Sequence, residues 1–183
     1  MQEEVIIRHC SPTLAGIKTG NIFTYSYDCE NTMRDELRSL NKRLVPKGLC
    51  AVPLRYTYGK ALIYVFRPSS LECDLSCPKA CKLLKNLGYS CGSCPKYITQ
   101  LINRLKESQE FPHEIGLFLG YPLEDVLGFI NNKGRNCKYI GCWKVYSDEE
   151  ICKKIFTKYK SCKETYLKKL SEGMTIDQLI VAV

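Results

Sequence analysis

Twelve cysteines in a chain of 183 residues are the feature that most limits what this sequence can fold into. Such a chain either forms disulfides in an oxidising compartment or keeps its thiols reduced for metal or redox chemistry. The sequence begins Met1-Gln2-Glu3-Glu4, without the basic segment and apolar stretch of a signal peptide. We therefore expect a cytoplasmic protein whose cysteines are reduced.

The composition is that of an ordinary globular protein. Apolar residues make up 45% of the chain and charged residues 25%. A chain of this length can bury roughly 70% of its unfolded surface, so its core needs no cross-links. The longest purely apolar run, from Ala61 to Phe66, is far shorter than the roughly 20 residues that cross a bilayer. We expect a single domain over residues 1–183 and no membrane span.

Helices are predicted where apolar residues recur at helical spacing beside capping or breaking residues. Met33, Leu37, Leu40 and Leu44 form one such stripe, and Pro46 and Gly48 end it. The predicted helices begin at Thr32, Pro78, Pro95, Pro122, Ser147 and Thr175. The segment at 179–181 could equally be a strand.

Strands are predicted from β-branched or alternating segments. Val5–Ile7 predicts a short strand that ends near His9 and is broken by Ser11-Pro12. Residues 49–56 and 60–67 predict a hairpin, in which Pro53 requires an edge position or a bulge.

A single strand is predicted over Lys138–Tyr146. This order of elements lacks regular βαβ alternation, so the predicted fold class is α+β, with a small, largely antiparallel sheet packed against several helices. The cysteine-rich stretch 69–94 is the one candidate insertion.

The sharpest short motif is Cys91-Gly92-Ser93-Cys94-Pro95. Two thiols separated by two residues can chelate a metal or close a small disulfide, and a helix N-terminus stabilises a thiolate there. A thioredoxin-like fold would need a preceding strand, whereas the segment before this motif predicts a helix that ends at Gly88.

Three further cysteines lie just before this motif, four residues apart. Together the five thiols have the ligand type of a tetrahedral zinc site or an iron–sulfur cluster, although their spacing matches no standard pattern. The alternative is that they act as small buried apolar residues. The metal hypothesis names Cys73, Cys77, Cys81, Cys91 and Cys94.

The two histidines offer a second kind of chemistry. His113 would activate a thiolate if the fold brought it to Cys10 or Cys142. His9 and Cys10 are adjacent, so on a strand they would point to opposite faces. The alternative is that both histidines are structural or exposed. Trp143, the single tryptophan, is expected to anchor a core.

Basic residues dominate the segment from Lys153 to Lys169, and the whole chain carries a net charge of +8. Apolar residues lie between these lysines at helical spacing, which predicts a helix with a buried stripe and a solvated basic face. A phosphate-tracking surface is the other interpretation, but no recognised nucleic-acid motif accompanies it.

Three segments resemble the signatures of a domain-of-unknown-function family of anaerobic Gram-positive bacteria. They are residues 9–18 (HCSPTLAGIK), 111–126 (FPHEIGLFLGYPLEDV) and 142–146 (CWKVY). The resemblance implies no established reaction, but it implies an anaerobic cytoplasm and a link to flavodoxin or iron handling. A shared site would lie where these three segments converge.

Two hypotheses of function follow. The first is a cysteine-dependent protein of thiol-redox or metal handling, with zinc or an iron–sulfur cluster as the implied cofactor. Its catalytic residues would be Cys10, His113, Glu114 and Cys142. The second is a non-catalytic adaptor module whose basic helix binds an acidic, flavodoxin-like redox protein.

Overall fold

The computed structural model describes residues 1–107 and 111–182 and has the predicted α+β architecture. A three-stranded antiparallel sheet and a two-stranded hairpin accompany the helices. The described helices are α1 (Glu3–Leu14), α2 (Glu30–Leu44), α3 (Pro68–Ser76), α4 (Pro78–Asn86), α5 (Cys94–Glu107), α6 (Ile115–Phe118), α7 (Leu123–Asn131), α8 (Glu149–Ser171) and α9 (Ile176–Leu179). The strands are β1 (Gly20–Ser26), β2 (Cys50–Thr57), β3 (Lys60–Phe66), β4 (Tyr139–Ile140) and β5 (Lys144–Val145).

The chain divides into two compact units. Unit 1 comprises Met1–Ser70 and Ser161–Val183, and unit 2 comprises Leu71–Lys160. The single domain over 1–183 and the insertion at 69–94 stay predictions. Within the described residues no helix combines the length and the apolar character needed to cross a bilayer.

The sheet of unit 1 has the order β1-β3-β2, with both pairs antiparallel. The predicted hairpin is confirmed as β2 and β3. Its two turn residues, Tyr58 and Gly59, have positive φ angles of 39° and 73°, as tight hairpin turns require. The register of β2 shifts between Pro53 and Arg55. This edge strand therefore contains the irregularity that Pro53 predicted.

The predicted strand at Val5–Ile7 is wrong, because this segment belongs to α1. Ile6, Ile7, Cys10 and Leu14 recur at helical spacing and are all buried. Two acidic residues in the first turn interact favourably with the positive end of the helix dipole. Pro12 does not break the helix, since it lies in the last turn and removes only one hydrogen bond there.

The core of unit 1 forms between the sheet and helices α1 and α2. The predicted stripe of α2 is confirmed, since Met33, Leu37, Leu40 and Leu44 are all buried. Sequence patterns did not predict β1, which pairs with β3 along its whole length. Its first residue, Gly20, has no room for a side chain, because a Cβ atom there would lie 2.5 Å from Cε2 of Tyr64.

In unit 2 the predicted single strand over 138–146 is a hairpin of β4 and β5 instead. Gly141 lies in its turn, where a Cβ atom would come within 2.2 Å of the Phe156 ring. The predicted helix starts are confirmed for α4, α5, α7 and α8 within two residues. At the start of α8 the Asp148 carboxylate accepts a hydrogen bond from the backbone N–H of Ile151 at 3.0 Å.

The short helix α9 at the end of unit 1 also confirms its prediction. Thr175 and Gln178 form the capping box that opens it.

A buried arginine joins the end of α1 to the C-terminal segment of the chain. The guanidinium of Arg67, which is 1% exposed, donates to the carbonyl oxygens of Thr13 at 2.8 Å, Leu14 at 2.9 Å and Val181 at 2.6 Å. Burial lowers the pKa of this side chain, partly offset by Tyr166. The arginine therefore caps the C-terminal end of α1 and holds the C-terminal segment against it.

We expect Arg67→Met to lower the free energy of unfolding by about 3 kcal/mol, because it leaves buried carbonyl groups without donors. Urea unfolding followed by circular dichroism measures this change. Arg38→Met is the matched control, because Arg38 is exposed and pairs with Asp35 on the surface. Equal stabilities of the two variants would contradict the role given to Arg67.

Candidate functional site

Three cysteines line one cavity of about 310 Å³ in unit 2, which we call the cysteine cavity. Its wall comes from α3, α4, the start of α5 and the segment that joins α4 to α5. The lining residues are Glu72, Leu75, Ser76, Cys81, Cys91, Gly92, Cys94 and Tyr97.

The three thiols differ in exposure and in the element that carries them. Cys81 lies in α4, and its sulfur donates to the carbonyl oxygen of Leu75 at 2.9 Å. Cys91 is exposed in the segment before α5. Cys94 is the first residue of α5 and is 7% exposed. The cavity thus has one thiol open to solvent and two that are more enclosed.

Local interactions hold the Cys91 segment in place. The backbone N–H of Ser90 donates to Oε1 of Gln100 at 2.7 Å, and Nε2 of Gln100 donates back to the carbonyl of Ser90 at 3.1 Å. The ammonium of Lys96 donates to the carbonyl of Cys91 at 3.1 Å. Two side chains of α5 therefore fix the backbone on which Cys91 lies.

A buried phenol lines the same cavity as the three thiols. Tyr97 is 6% exposed. Its hydroxyl lies near Cys91 and the backbone of Gly92. Burial raises the pKa of Tyr97, and negative charge on Cys81 and Cys91 raises it further. The phenol therefore stays protonated and can donate to a neighbouring thiolate.

Sequence reasoning singled out the cysteines of this cavity but missed Tyr97. A signal was present, because Tyr97 follows Cys94 by three residues and so lies on the same face of a helix.

The five-cysteine metal hypothesis is only partly reflected in this arrangement. Cys73 and Cys77 are exposed and are not among the described lining residues. The chain breaks between α3 and α4 at Pro78, as predicted, so the three upstream thiols do not share one helix face. Within residues 1–107 and 111–182 no three His, Cys, Asp or Glu side chains are grouped so that they could hold a metal ion. The metal site stays a prediction.

A comparison with family models decides where the chain belongs. The model described as "Protein of unknown function (DUF3793)" matches residues 6–180. The chain belongs to the DUF3793 family. No curated protein matches the chain, and no solved structure does. The activity of this DUF3793 protein must therefore be argued from its own residues.

The first pair predicted for a shared site lies in unit 1. Cys10 is fully buried in the core of that unit, and burial raises the pKa of its thiol far above the usual range. His9 is stacked on Phe23, with 5.3 Å between ring centroids. Burial lowers the pKa of His9, as do the positive charges of Lys163 and Arg8. The core around Cys10 strongly disfavours a thiolate.

His113 of the DUF3793 protein borders a second cavity in unit 2, of about 530 Å³. Its ring packs against Phe129 at 4.7 Å between centroids. The described residues along this cavity include no cysteine, so the wall gives His113 no thiol to activate there. They are Leu87, Arg104, Glu107, Phe111, Pro112, His113, Glu114 and Ile130.

Glu114 is buried and holds several elements together. Its Oε1 accepts from Nε of Arg104 at 2.8 Å and from the hydroxyl of Tyr89 at 3.0 Å. Nη1 of Arg104 also donates to the carbonyl of Leu87 at 2.7 Å. Burial raises the pKa of Tyr89, and the negative charge of Glu114 raises it further. This phenol therefore stays protonated. Sequence reasoning missed both partners, which lie 10 and 25 residues away from Glu114.

The third predicted pair lies near the hairpin of unit 2. Trp143 is buried, which confirms it as a core anchor, and it stacks on Tyr121 with 4.6 Å between ring centroids. Cys142 is exposed. Burial raises the pKa of both Tyr121 and Tyr159 to about 12, with a further contribution from negative charge on Cys142.

One carboxylate of the central motif organises this region. Asp125 is 2% exposed. Its Oδ1 accepts from the backbone N–H groups of Tyr146 and Ser147, each at 2.7 Å, and its Oδ2 accepts from Nε1 of Trp143 at 2.6 Å. Burial by itself would raise the pKa of Asp125, but these hydrogen bonds outweigh it and lower the pKa.

We expect Asp125→Asn to destabilise the DUF3793 protein by about 2 kcal/mol at neutral pH, because an amide cannot accept all of these hydrogen bonds. Because the pKa of Asp125 is lower in the folded protein than in the unfolded chain, its ionised carboxylate stabilises the fold. This stabilisation is complete at pH values above the pKa in the unfolded chain, about 3.9, and is lost as the pH falls through the pKa in the folded protein. The difference between wild type and variant should therefore shrink in acid. Urea unfolding at several pH values measures it.

Asp35→Asn serves as the control for this measurement, because Asp35 is exposed and pairs with Arg38 on the surface. A difference for Asp125→Asn that stays constant down to strongly acidic pH would contradict the prediction.

Proposed function

We propose that this DUF3793 protein is a thiol–disulfide redox protein and that Cys91 and Cys94 are its reactive dithiol. The observation that carries the proposal is the cysteine cavity, which is lined by three thiols and a phenol. They belong to Cys81, Cys91, Cys94 and Tyr97. A Cys-X-X-Cys pair beside a helix start is suited to forming and breaking a disulfide.

The exposure of the two thiols supports an order of events. The exposed Cys91 thiolate attacks a disulfide of the substrate, which forms a mixed disulfide and releases one substrate thiolate. The Cys94 thiolate then attacks the sulfur of Cys91, which forms the Cys91–Cys94 disulfide and releases the second substrate thiolate. Two electrons pass from the protein to the substrate, and two protons end on the substrate thiols.

Two groups beside the dithiol can interact with negative charge that forms during the reaction. Cys94 lies at the N-terminal end of α5, where the helix dipole stabilises negative charge. Tyr97 lines the same cavity, and its hydroxyl can donate to a thiolate that forms there during the reaction. A reducing cytoplasm, as in an anaerobic Gram-positive bacterium, is the setting that we propose for this dithiol.

A second candidate function is that of an adaptor, and it rests on the charge of α8. Lys154, Lys158 and Lys160 are exposed and form no ion pair among the described residues. A basic face of this kind would attract an acidic surface, such as that of a flavodoxin-like redox protein. Binding that weakens with salt and with Lys154→Glu, while the dithiol of Cys91 and Cys94 stays intact, would favour this function.

The redox proposal is tested by equilibrating anaerobically purified protein in buffers of graded reduced-to-oxidised glutathione ratio. Trapping with two alkylating reagents and peptide mass spectrometry then measures each thiol. We expect one reversible two-electron transition, assigned to Cys91 and Cys94, because these thiols lie together in the cysteine cavity. Cys91→Ser should abolish the transition.

Cys73→Ser is the matched control for this titration, because Cys73 is exposed but is not a described lining residue of the cavity. It should leave the transition unchanged. Independent alkylation of Cys91 and Cys94 at every ratio would overturn the proposal. So would zinc or iron, measured by elemental analysis, bound stoichiometrically to these thiols in the purified protein.

A further inference from the structure

Cys81 is the thiol of the cysteine cavity that the two-cysteine reaction leaves unused. It lies in α4, whereas Cys91 and Cys94 lie in the segment before α5 and at its start. All three line the same cavity, and negative charge on either Cys81 or Cys91 acts on the hydroxyl of Tyr97. Both cysteines therefore share one cavity with Tyr97.

We propose that Cys81 is a second resolving thiol, which attacks the sulfur of Cys91 and forms an alternative Cys81–Cys91 disulfide. This inference rests on the proposed dithiol function and names a further residue of that site. The cavity could then form either of two alternative disulfides, each of which includes Cys91.

The exchange needs no additional oxidant. The Cys81 thiolate attacks the Cys91 sulfur of the Cys91–Cys94 disulfide, the new bond joins Cys81 to Cys91, and Cys94 leaves as a thiolate. One sulfur–sulfur bond forms and one breaks, so the number of electrons is conserved, and the proton lost by Cys81 is balanced by the one that Cys94 takes up. In the same way Cys81 can resolve a mixed disulfide between Cys91 and a substrate.

The hydrogen bond of the Cys81 thiol supports an order in which Cys81 reacts after Cys91. The Cys81 thiol donates to the carbonyl oxygen of Leu75 at 2.9 Å, and this hydrogen bond has to break before the sulfur can attack. Cys91, in contrast, is exposed. An incoming disulfide therefore meets Cys91 first, and Cys81 reacts only once it has given up its proton.

The two disulfides would constrain the chain differently. A Cys91–Cys94 bond closes a small ring within one segment, whereas a Cys81–Cys91 bond ties α4 to the segment before α5. The second bond also frees Cys94 at the start of α5. The exchange thus decides whether the oxidised cavity ties α4 to the segment before α5.

The test uses Cys94→Ser, which removes the first resolving thiol. The full-length variant is treated anaerobically, at low protein concentration, with oxidised glutathione, and samples quenched over time are mapped by mass spectrometry. We expect glutathione to bind at Cys91 and then to be released as a Cys81–Cys91 disulfide forms. In Cys81→Ser/Cys94→Ser this release should be lost, and the mixed disulfide should persist.

Cys77→Ser/Cys94→Ser is the matched control, because Cys77 lies one turn before Cys81 but is not a described lining residue of the cavity. It should release glutathione like Cys94→Ser alone. Equal circular dichroism spectra establish that all variants fold.

The outcomes separate the two proposals. If wild type forms the Cys91–Cys94 disulfide but Cys94→Ser keeps glutathione on Cys91, the role of Cys81 is overturned and the proposed dithiol stands. If wild type forms no disulfide with Cys91 at all, the proposed function itself fails. Release by a cysteine other than Cys81 would also overturn the inference.

Discussion

The ion pair between Glu114 and Arg104 is the interaction on which the cysteine cavity depends. The buried carboxylate accepts from Arg104 and from Tyr89, and Arg104 also donates to the carbonyl of Leu87 at the end of α4. These bonds replace the water that a buried charge would lose. They join the end of α4, which carries Cys81, to α5, which carries two more residues of the cavity wall. The guanidinium also lies over the Tyr89 ring, 5.1 Å from its centroid.

Elements fixed by local chemistry could be predicted from the sequence, and those fixed by distant pairing could not. The hairpin of β2 and β3 follows from Tyr58-Gly59, and α4 follows from Pro78 and the positive φ of Gly88. In contrast, α1 begins with β-branched residues that resemble a strand, and only burial against the sheet makes the helix the better solution. Strand β1 has no strong local signal, because its order comes from pairing with β3.

The candidate site divides along the same physical line. The spacing of Cys91 and Cys94 is local, so the sequence predicts their proximity, and Cys81 joins them one helix away. The predicted group of five thiols is not assembled in one cavity, because the break at Pro78 turns the chain between α3 and α4. The contacts of Tyr97 with Cys91 and of Glu114 with Arg104 depend on how helices pack, which no spacing rule contains.

The two buried carboxylates of unit 2 both accept internal hydrogen bonds, which supports the proposal that thiols are the reacting groups there. Asp125 accepts from two backbone N–H groups and an indole, and Glu114 accepts from a guanidinium and a phenol. Removing either carboxylate would leave its buried donors without an acceptor, so both carboxylates have a structural role. Cys91 differs from both, since it is exposed and can change its bonding partner without disrupting the core. Under the proposed function the two carboxylates hold the elements of unit 2 together, and the thiols of the cysteine cavity react.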